Sequence, residues 1–387
     1  MRSRAFSKLS DNSYDFIRAL RDTLPVPLAV FAVMTFSFPV KIFNTLVVDT
    51  AKSYFKPGDI YRFLFYNFSY SGNSLIWGFF LVFAGLFTAL CAFGFFTRSD
   101  SSNVLFSLGL NRSRLFANRT YASLLLLLLG VLVPLTAAFA INISQLDVCG
   151  DMVKSFAFLT IAFFTLEVVG FAAGSVIIAF SGNPLEWFAA SGLTVLFPVG
   201  AIYFAELVGE FMYGFTVKYI SADTKLLPKV NLREKLYFID PITMLFNNRN
   251  GSFDAAAVSY TEKYLTQPYY NEYADKTLGD SLSSEAWDVT VAWLVVSILL
   301  VLFARRLFSK RRAELSDTML AGKAIKRVCA VLFFLLFAEC FLYTCVFTKL
   351  YWLFPVLLAA ETILSVAASK IISKRKISFS MKAIKGE

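Results

Sequence analysis

Six ionisable side chains stand inside long apolar stretches of this sequence, and they are its clearest candidates for chemistry. They are Lys41, Glu167, Glu206, Glu210, Glu339 and Glu361. An ionisable group in an apolar span is costly, so such residues usually face a bundle interior or water and often mark an ion or substrate pathway. Glu167 is the best candidate for a buried functional carboxylate, although a hydrogen bond between helices explains it equally well.

The other five residues each have a simpler explanation beside the functional one. Glu206 and Glu210 are four residues apart and therefore share one helical face, where they repel modestly unless water or a cation lies between them. They predict either a polar exit vestibule or, as the favoured alternative, an interfacial re-entrant helix with hydrated carboxylates. Lys41 can snorkel to the membrane surface from the end of its span. Glu339 and Glu361 can satisfy polar neighbours within the last pair of helices.

The composition excludes several kinds of site. The chain of 387 residues contains no histidine, which removes Ser-His-Asp and Cys-His catalysis and His-ligated zinc or haem. A P-loop is also missing, since the only Gly-Lys pair, Gly322 and Lys323, lacks the glycine five residues earlier. The sequence therefore predicts a protein that is not an enzyme, with no catalytic residues, no metal site and no cofactor of its own.

The elements that carry these residues are predicted to be membrane-spanning helices. The chain is 57% hydrophobic and 17% charged, whereas soluble domains are about 45–50% apolar and about 25% charged. We therefore predict an all-α polytopic membrane protein. Eight apolar runs are long enough to cross a bilayer: about Leu24–Val48, Ser74–Phe96, Tyr121–Ile143, Phe156–Phe180, Trp187–Phe215, Ala286–Phe308, Val328–Phe347 and Leu350–Ala368.

The distribution of positive charge predicts the orientation of the spans. Most of the 37 Lys and Arg residues lie before the first span, in the second and sixth connections, and after the last span, so both termini are predicted to be cytoplasmic. The predicted organisation is a cytoplasmic N-terminus (1–23), spans one to five (24–220) with a cytoplasmic loop (97–120), an extracytoplasmic loop or cap (221–285), span six (286–308), a basic loop (309–327), a helical hairpin (328–368) and a basic tail (369–387). Orientation and anionic lipid headgroups account for the net charge of +10, so no nucleic-acid partner is expected.

Two predicted cytoplasmic segments combine basic and apolar residues. Residues 12–24 predict an amphipathic interfacial helix, with Phe16, Leu20 and Leu24 four apart and Pro25 marking its end. The loop of residues 105–116 is basic with an apolar edge, which suits docking into a groove on a soluble partner. Its apolar edge is formed by Leu105, Leu108, Leu115 and Phe116.

Taken in order, several short stretches resemble the permease subunits of bacterial ABC transporters of the type-2 exporter class, in the group found in Gram-positive bacteria. Ser107–Phe116 is similar to that group's Ser-Leu-Pro-x-Ser-Arg-x-x-Leu-Phe stretch, with Gly109 in place of the proline and Asn111 where serine is common. Ser181-Gly-Asn183 resembles its turn after the fourth span. Asp240-Pro-Ile242 and Lys310-Arg-Arg-Ala-Glu314 resemble two of its later elements.

The resemblance implies a transmembrane half of an exporter that pairs with a separate ATPase subunit, which binds ATP and Mg²⁺. It also implies a second permease copy or a sister permease. In that class the N-terminal helix and the loop between spans two and three contact the ATPase. Carried over to this sequence, the contact residues are Phe16, Leu20, Leu108, Arg112, Arg114, Leu115 and Phe116.

Two other functions fit the same composition. An ion-coupled secondary transporter would use the intramembrane carboxylates as coupling sites, and it predicts paired repeats and interrupted helices. An accessory or sensory membrane subunit would bind a partner or peptide through the outer loop and transport nothing.

Overall fold

The computed structural model describes residues 16–40, 43, 73–97, 112–145, 150–219, 284–310, 323–350 and 352–374. Within these ranges the secondary structure is helical and no strand is present. We number the helices α1 (Phe16–Thr23), α2 (Pro25–Thr35, continued by a π-helical turn Phe36–Val40), α3 (Asn73–Phe93, continued by a 3₁₀ turn Gly94–Thr97), α4 (Arg112–Gln145), α5 (Gly150–Phe180), α6 (Pro184–Tyr219), α7 (Ser284–Lys310), α8 (Lys323–Thr348) and α9 (Leu353–Lys374).

Four helices are long and apolar enough to cross a membrane. They are Ile76–Thr97, Arg112–Ile141, Phe156–Phe180 and Trp287–Lys310, and the bent pair formed by α1 and α2 makes a fifth if it is one span. The predicted spans two, three, four and six are thus confirmed as helices able to cross. The prediction of eight spans is not confirmed, because α6, α8 and α9 are not among the described helices that are long and apolar enough to cross a membrane. The apolar helices indicate a membrane-embedded protein.

The described helices fall into two compact units. Unit 1 contains α1 to α5 and α7, and unit 2 contains α6, α8 and α9. Helix α4 packs against α2, α3 and α7. The backbones of α2 and α4 approach closely because Gly130 has no side chain, and a Cβ atom there would lie 3.2 Å from the Pro27 carbonyl oxygen.

Helices α3 and α5 cross through three glycines. A Cβ atom on Gly85 would overlap the backbone carbonyl oxygen of Glu167, and a Cβ atom on Gly170 would overlap that of Val82. One turn further on, a Cβ atom on Gly174 would lie 3.0 Å from the Ala89 methyl group. Small residues spaced four apart permit this kind of close approach between membrane helices. The crossing fixes the position of Glu167 within unit 1.

In unit 2, α6 begins with a capped turn. Asn183 is the N-cap, and its Oδ1 accepts hydrogen bonds from the backbone N–H groups of Leu185 at 2.6 Å and Glu186 at 3.4 Å. Glu186 in turn accepts a bond from the Gly182 N–H at 2.9 Å, and Pro184 occupies the first helical position, where its missing N–H is harmless. The Ser-Gly-Asn stretch singled out in the sequence is therefore a helix start.

Helices α8 and α9 pack against each other as a hairpin, and α8 also packs against α6. The predicted two-residue connection at Thr348 and Lys349 is longer in the structure, since α8 ends at Thr348 and α9 begins at Leu353. Lys349 has a φ of 56°, in the left-handed region that lets a chain leave a helix at its C-terminus.

Candidate functional site

A buried arginine joins three segments at one end of unit 1. Arg119 on α4 is 4% exposed. Its Nη1 donates a hydrogen bond of 2.6 Å to the Ala92 carbonyl oxygen at the end of α3, and its Nη2 lies 3.3 Å from Asp22 Oδ2 on α1. The guanidinium carbon also lies 4.4 Å from the centre of the Phe95 ring. We call Arg119, Asp22, Ala92 and Phe95 the arginine node.

The local sequence explains why these groups meet. The α-helical part of α3 ends at Phe93 and a 3₁₀ turn follows, so the Ala92 carbonyl belongs to the last turn, where intrahelical partners run out. A planar, permanently charged guanidinium can donate to a carbonyl and a carboxylate together while stacking on an aromatic ring. Arg119 therefore stabilises the start of α4, the end of α3 and α1 at a single point.

The chain bends by 51° between α1 and α2, immediately beside the arginine node. Pro25 begins the second helix. The buried side of α1 carries Ala19 and Thr23, both fully buried, and the Thr23 hydroxyl donates to the Ala19 carbonyl oxygen at 2.7 Å. The predicted amphipathic helix is thus a helix over Phe16–Thr23, whereas its predicted start at residues 12–15 lies outside the described residues.

The candidate partner-contact residues on α1 and α4 differ in their exposure. Phe16 and Leu20 are half-buried, as is Arg112, and Arg114 is exposed. Leu115 and Phe116 are buried, at 5% and 2% exposed. The remaining candidate, Leu108, lies outside the described residues.

Phe116 belongs to an aromatic cluster next to the arginine node. Its ring stacks on Phe93 of α3 at a centroid distance of 4.7 Å, and Phe308 of α7 lies 5.0 Å from both rings. Nearby, Arg305 Nε donates to the Ser113 hydroxyl oxygen at 2.7 Å. The apolar residues Leu115 and Phe116 therefore pack inside unit 1, whereas Arg112 and Arg114 lie closer to its surface.

Glu167 lies in the middle of α5 with its side chain fully buried. Neither carboxyl oxygen has a hydrogen-bond partner among the described residues. Its backbone carbonyl faces Gly85, where α3 and α5 cross most closely. Since an isolated buried carboxylate is very unfavourable, this group needs either a proton or a polar partner.

The other candidate ionisable residues are spread over unit 2 or lie outside the described ranges. Glu210 is exposed on α6. Glu361 on α9 is 5% exposed, and its carboxyl oxygens make no hydrogen bond within the described part of the chain. Glu206 and Glu339 lie within α6 and α8, whereas Lys41 is outside the described residues. The described residues contain no group of three or more His, Cys, Asp or Glu placed to hold a metal ion.

Sequence reasoning counted Arg119 among the basic residues of the second connection but did not identify it as a site residue. Its partners are 97 and 27 residues away along the chain, and one of them is a backbone carbonyl. A backbone acceptor leaves no trace in the residue types. The available signal was the position of an arginine next to the apolar run that begins at Tyr121.

No protein-family model matches the sequence. No curated protein is significantly similar to it in sequence.

Proposed function

We propose that the chain is the transmembrane permease subunit of an ABC-type exporter in a bacterial cytoplasmic membrane, with both termini cytoplasmic. A separate ATPase subunit hydrolyses ATP, and a second copy or a sister permease completes the transmembrane part. The observation that carries the proposal is the arginine node, which joins α1 to the end of α3 and the start of α4.

The node supports this function because of the segments that it connects. The family resemblance assigns ATPase contact to two of them, the N-terminal helix and the loop between α3 and α4. Both lead directly to Arg119, through Asp22 on one side and through the first turns of α4 on the other. A displacement of either segment by the ATPase would therefore be transmitted to α3 and α4 together. A transporter driven by a rigid-body motion requires such a connection.

The exposure of the candidate residues refines the proposed contact. Leu115 and Phe116 pack inward, so they stabilise the start of α4, which is proposed to transmit the motion of the ATPase. The half-buried Arg112 and the exposed Arg114 are the proposed direct contacts with the ATPase, together with residues 105–111 of the preceding loop. The transported substrate is proposed to be amphipathic, such as a peptide, a lipid-linked molecule or a drug.

The test is purification of the tagged full-length chain from its native membrane in mild detergent. The proposal expects a P-loop ATPase to copurify with the parent chain and to be lost with Arg112→Glu combined with Arg114→Glu. Arg306→Glu is the matched control, because Arg306 is exposed on α7 and is not a predicted contact. If the double variant recovers as much ATPase as the parent chain, Arg112 and Arg114 are not the contact. If no ATPase copurifies with the parent chain or any variant, the proposed function is contradicted.

A further inference from the structure

We propose that Glu167 is a proton-binding site enclosed in unit 1, which holds one proton as a neutral carboxylic acid while the helices are packed as described. This inference does not depend on the ATPase partner. It rests on three features of the described residues: neither oxygen of the Glu167 carboxyl group has a hydrogen-bond partner, the apolar helix middles carry no counter-charge, and the helix crossing is closed.

Four buried hydroxyl groups on α3, α5 and α7 are bonded within their own helices. Each donates to the carbonyl oxygen four residues earlier in its own helix, at 2.7–2.8 Å: Thr88 on α3, Thr165 and Ser175 on α5, and Ser297 on α7. A hydroxyl has only one proton to donate. The carboxyl group consequently gains no donor from them, and both of its oxygens lack a partner in the described part of unit 1.

In the described residues of unit 1, the apolar helix middles carry no other Asp, Glu, Lys or Arg. Residues 25–40, 76–97, 122–141, 155–180 and 289–304 contain Glu167 as their one charged side chain, and Cys91 as their one other titratable group. The remaining charged or titratable residues of these helices lie toward the helix ends: Arg18, Arg21, Asp22, Arg112, Arg114, Arg119, Tyr121, Asp151, Lys154, Glu285, Asp288, Arg305, Arg306 and Lys310. Arg119 is held by Ala92, Asp22 and Phe95.

Closure of the crossing limits the size of any ligand. The side chain of Glu167 has no exposed surface, and the backbones of α3 and α5 touch at Gly85 and Gly170. A bound metal cation takes several oxygen ligands, and the described part of the chain does not bring such a group together. A proton needs neither space nor a set of ligands, so it is the ligand that fits.

Opening of the α3–α5 crossing would expose the carboxyl group to water and allow the proton to leave. Proton release at Glu167 is therefore linked to separation of these two helices. The reaction is a simple dissociation of the carboxyl O–H bond, with the proton passing to water and the electron pair staying on the oxygen.

The test is infrared spectroscopy of the full-length chain in lipid nanodiscs at neutral pH. Subtracting the spectrum of Glu167→Gln from that of the parent should leave the carbonyl stretching band of one protonated carboxylic acid. Glu210→Gln is the matched control, since the Glu210 side chain is exposed; its subtraction should leave the two bands of an ionised carboxylate. Glu167→Asp, which keeps a carboxyl group, should shift the acid band without removing it.

Two results would overturn the proposal. One is an ionised-carboxylate difference for Glu167→Gln, which would show that the group is charged and has a partner. The other is a Glu167→Asp spectrum in which no carboxylic acid band shifts relative to the parent. This second variant keeps the test decisive even when Glu167→Gln does not fold.

Discussion

Among the described residues of unit 1, two buried ionisable side chains have opposite surroundings. Arg119 is 4% exposed and has a carbonyl oxygen, a carboxylate and an aromatic ring around its guanidinium group. Glu167 is fully buried and has no hydrogen-bond partner within the described residues. One buried charge is used to hold segments together, whereas the other side chain is isolated.

The difference follows from where each residue stands along the helices. Arg119 lies beside the end of α3, where carbonyl groups lack intrahelical partners and a neighbouring helix can supply the donor. Glu167 lies beside helix middles, where every backbone group is already bonded within its own helix. A buried charge can therefore be accommodated at a helix end, while a helix middle favours the neutral form of an ionisable side chain.

The largest effect is expected where the crossing that encloses Glu167 is broken. In Gly170→Ala the new methyl group overlaps the Val82 carbonyl, so α3 and α5 must separate. We expect a destabilisation of about 3 kcal/mol, at the upper end for overpacking of a core. The measurement is thermal unfolding of the purified chain in detergent, followed by tryptophan fluorescence.

Gly192→Ala on α6 is the control, since nothing lies within 4 Å of a Cβ atom at that position. It should gain stability by about 0.5–1 kcal/mol from the better helix propensity of alanine. Equal melting temperatures for the two variants would contradict the tight crossing.

Removal of the partnered charge should have the second-largest effect. Arg119→Met keeps the length and apolar stem of the side chain but leaves the Ala92 carbonyl without its donor. We expect a loss of about 2 kcal/mol, as for a hydrogen bond to a charged group. Arg119→Lys should recover part of this stability, because it restores one charge and one donor. A Lys variant no better than Met would show that packing alone explains the role of the side chain.

A smaller loss is expected when only the ion pair is weakened. The Asp22 side chain is 38% exposed, so water screens its attraction to Arg119. Asp22→Asn should therefore reduce stability by less than about 1 kcal/mol, measured as a shift in melting temperature that shrinks at high salt. A loss as large as that of Arg119→Met would mean that Asp22, and not Ala92, dominates the node.

The smallest effect is expected at Glu167 itself. Glu167→Gln exchanges one neutral polar side chain for another of the same shape, so the melting temperature should stay closer to that of the parent than in any variant of the arginine node. A Gln variant that melts as early as Arg119→Met would favour an ionised, partnered Glu167.

Apolar run length predicted much of the fold of unit 1. The predicted span Phe156–Phe180 coincides with the candidate span in the structure, and its uninterrupted apolar flanks are the reason that Glu167 is buried. The Ser-Gly-Asn stretch could be interpreted as a turn from residue types, because Asn183 has an oxygen that can cap a helix and Pro184 suits the first helical position.

The sequence pattern did not predict the contacts between helices. A phenylalanine such as Phe116 at the start of a helix suits an exposed docking edge as well as a core, and only its packing on Phe93 and Phe308 distinguishes them. The glycine contacts of α3 with α5 depend on the relative rotation of two helices, which single-sequence periodicity does not define. The hydrogen bond from Arg119 to the Ala92 carbonyl oxygen also depends on how two helices are placed, so the sequence pattern does not predict it.

Contact with an ATPase is tested most directly by crosslinking the chain to its partners in the native membrane. The tagged chain would be captured from its own membrane after mild chemical crosslinking, and its partners would be identified by mass spectrometry. The account predicts a P-loop ATPase in stoichiometric amount, crosslinked to residues on α1 or in the loop before α4, with ATP hydrolysis in the purified complex. A chain recovered without an ATPase, or with one crosslinked only elsewhere, would contradict it.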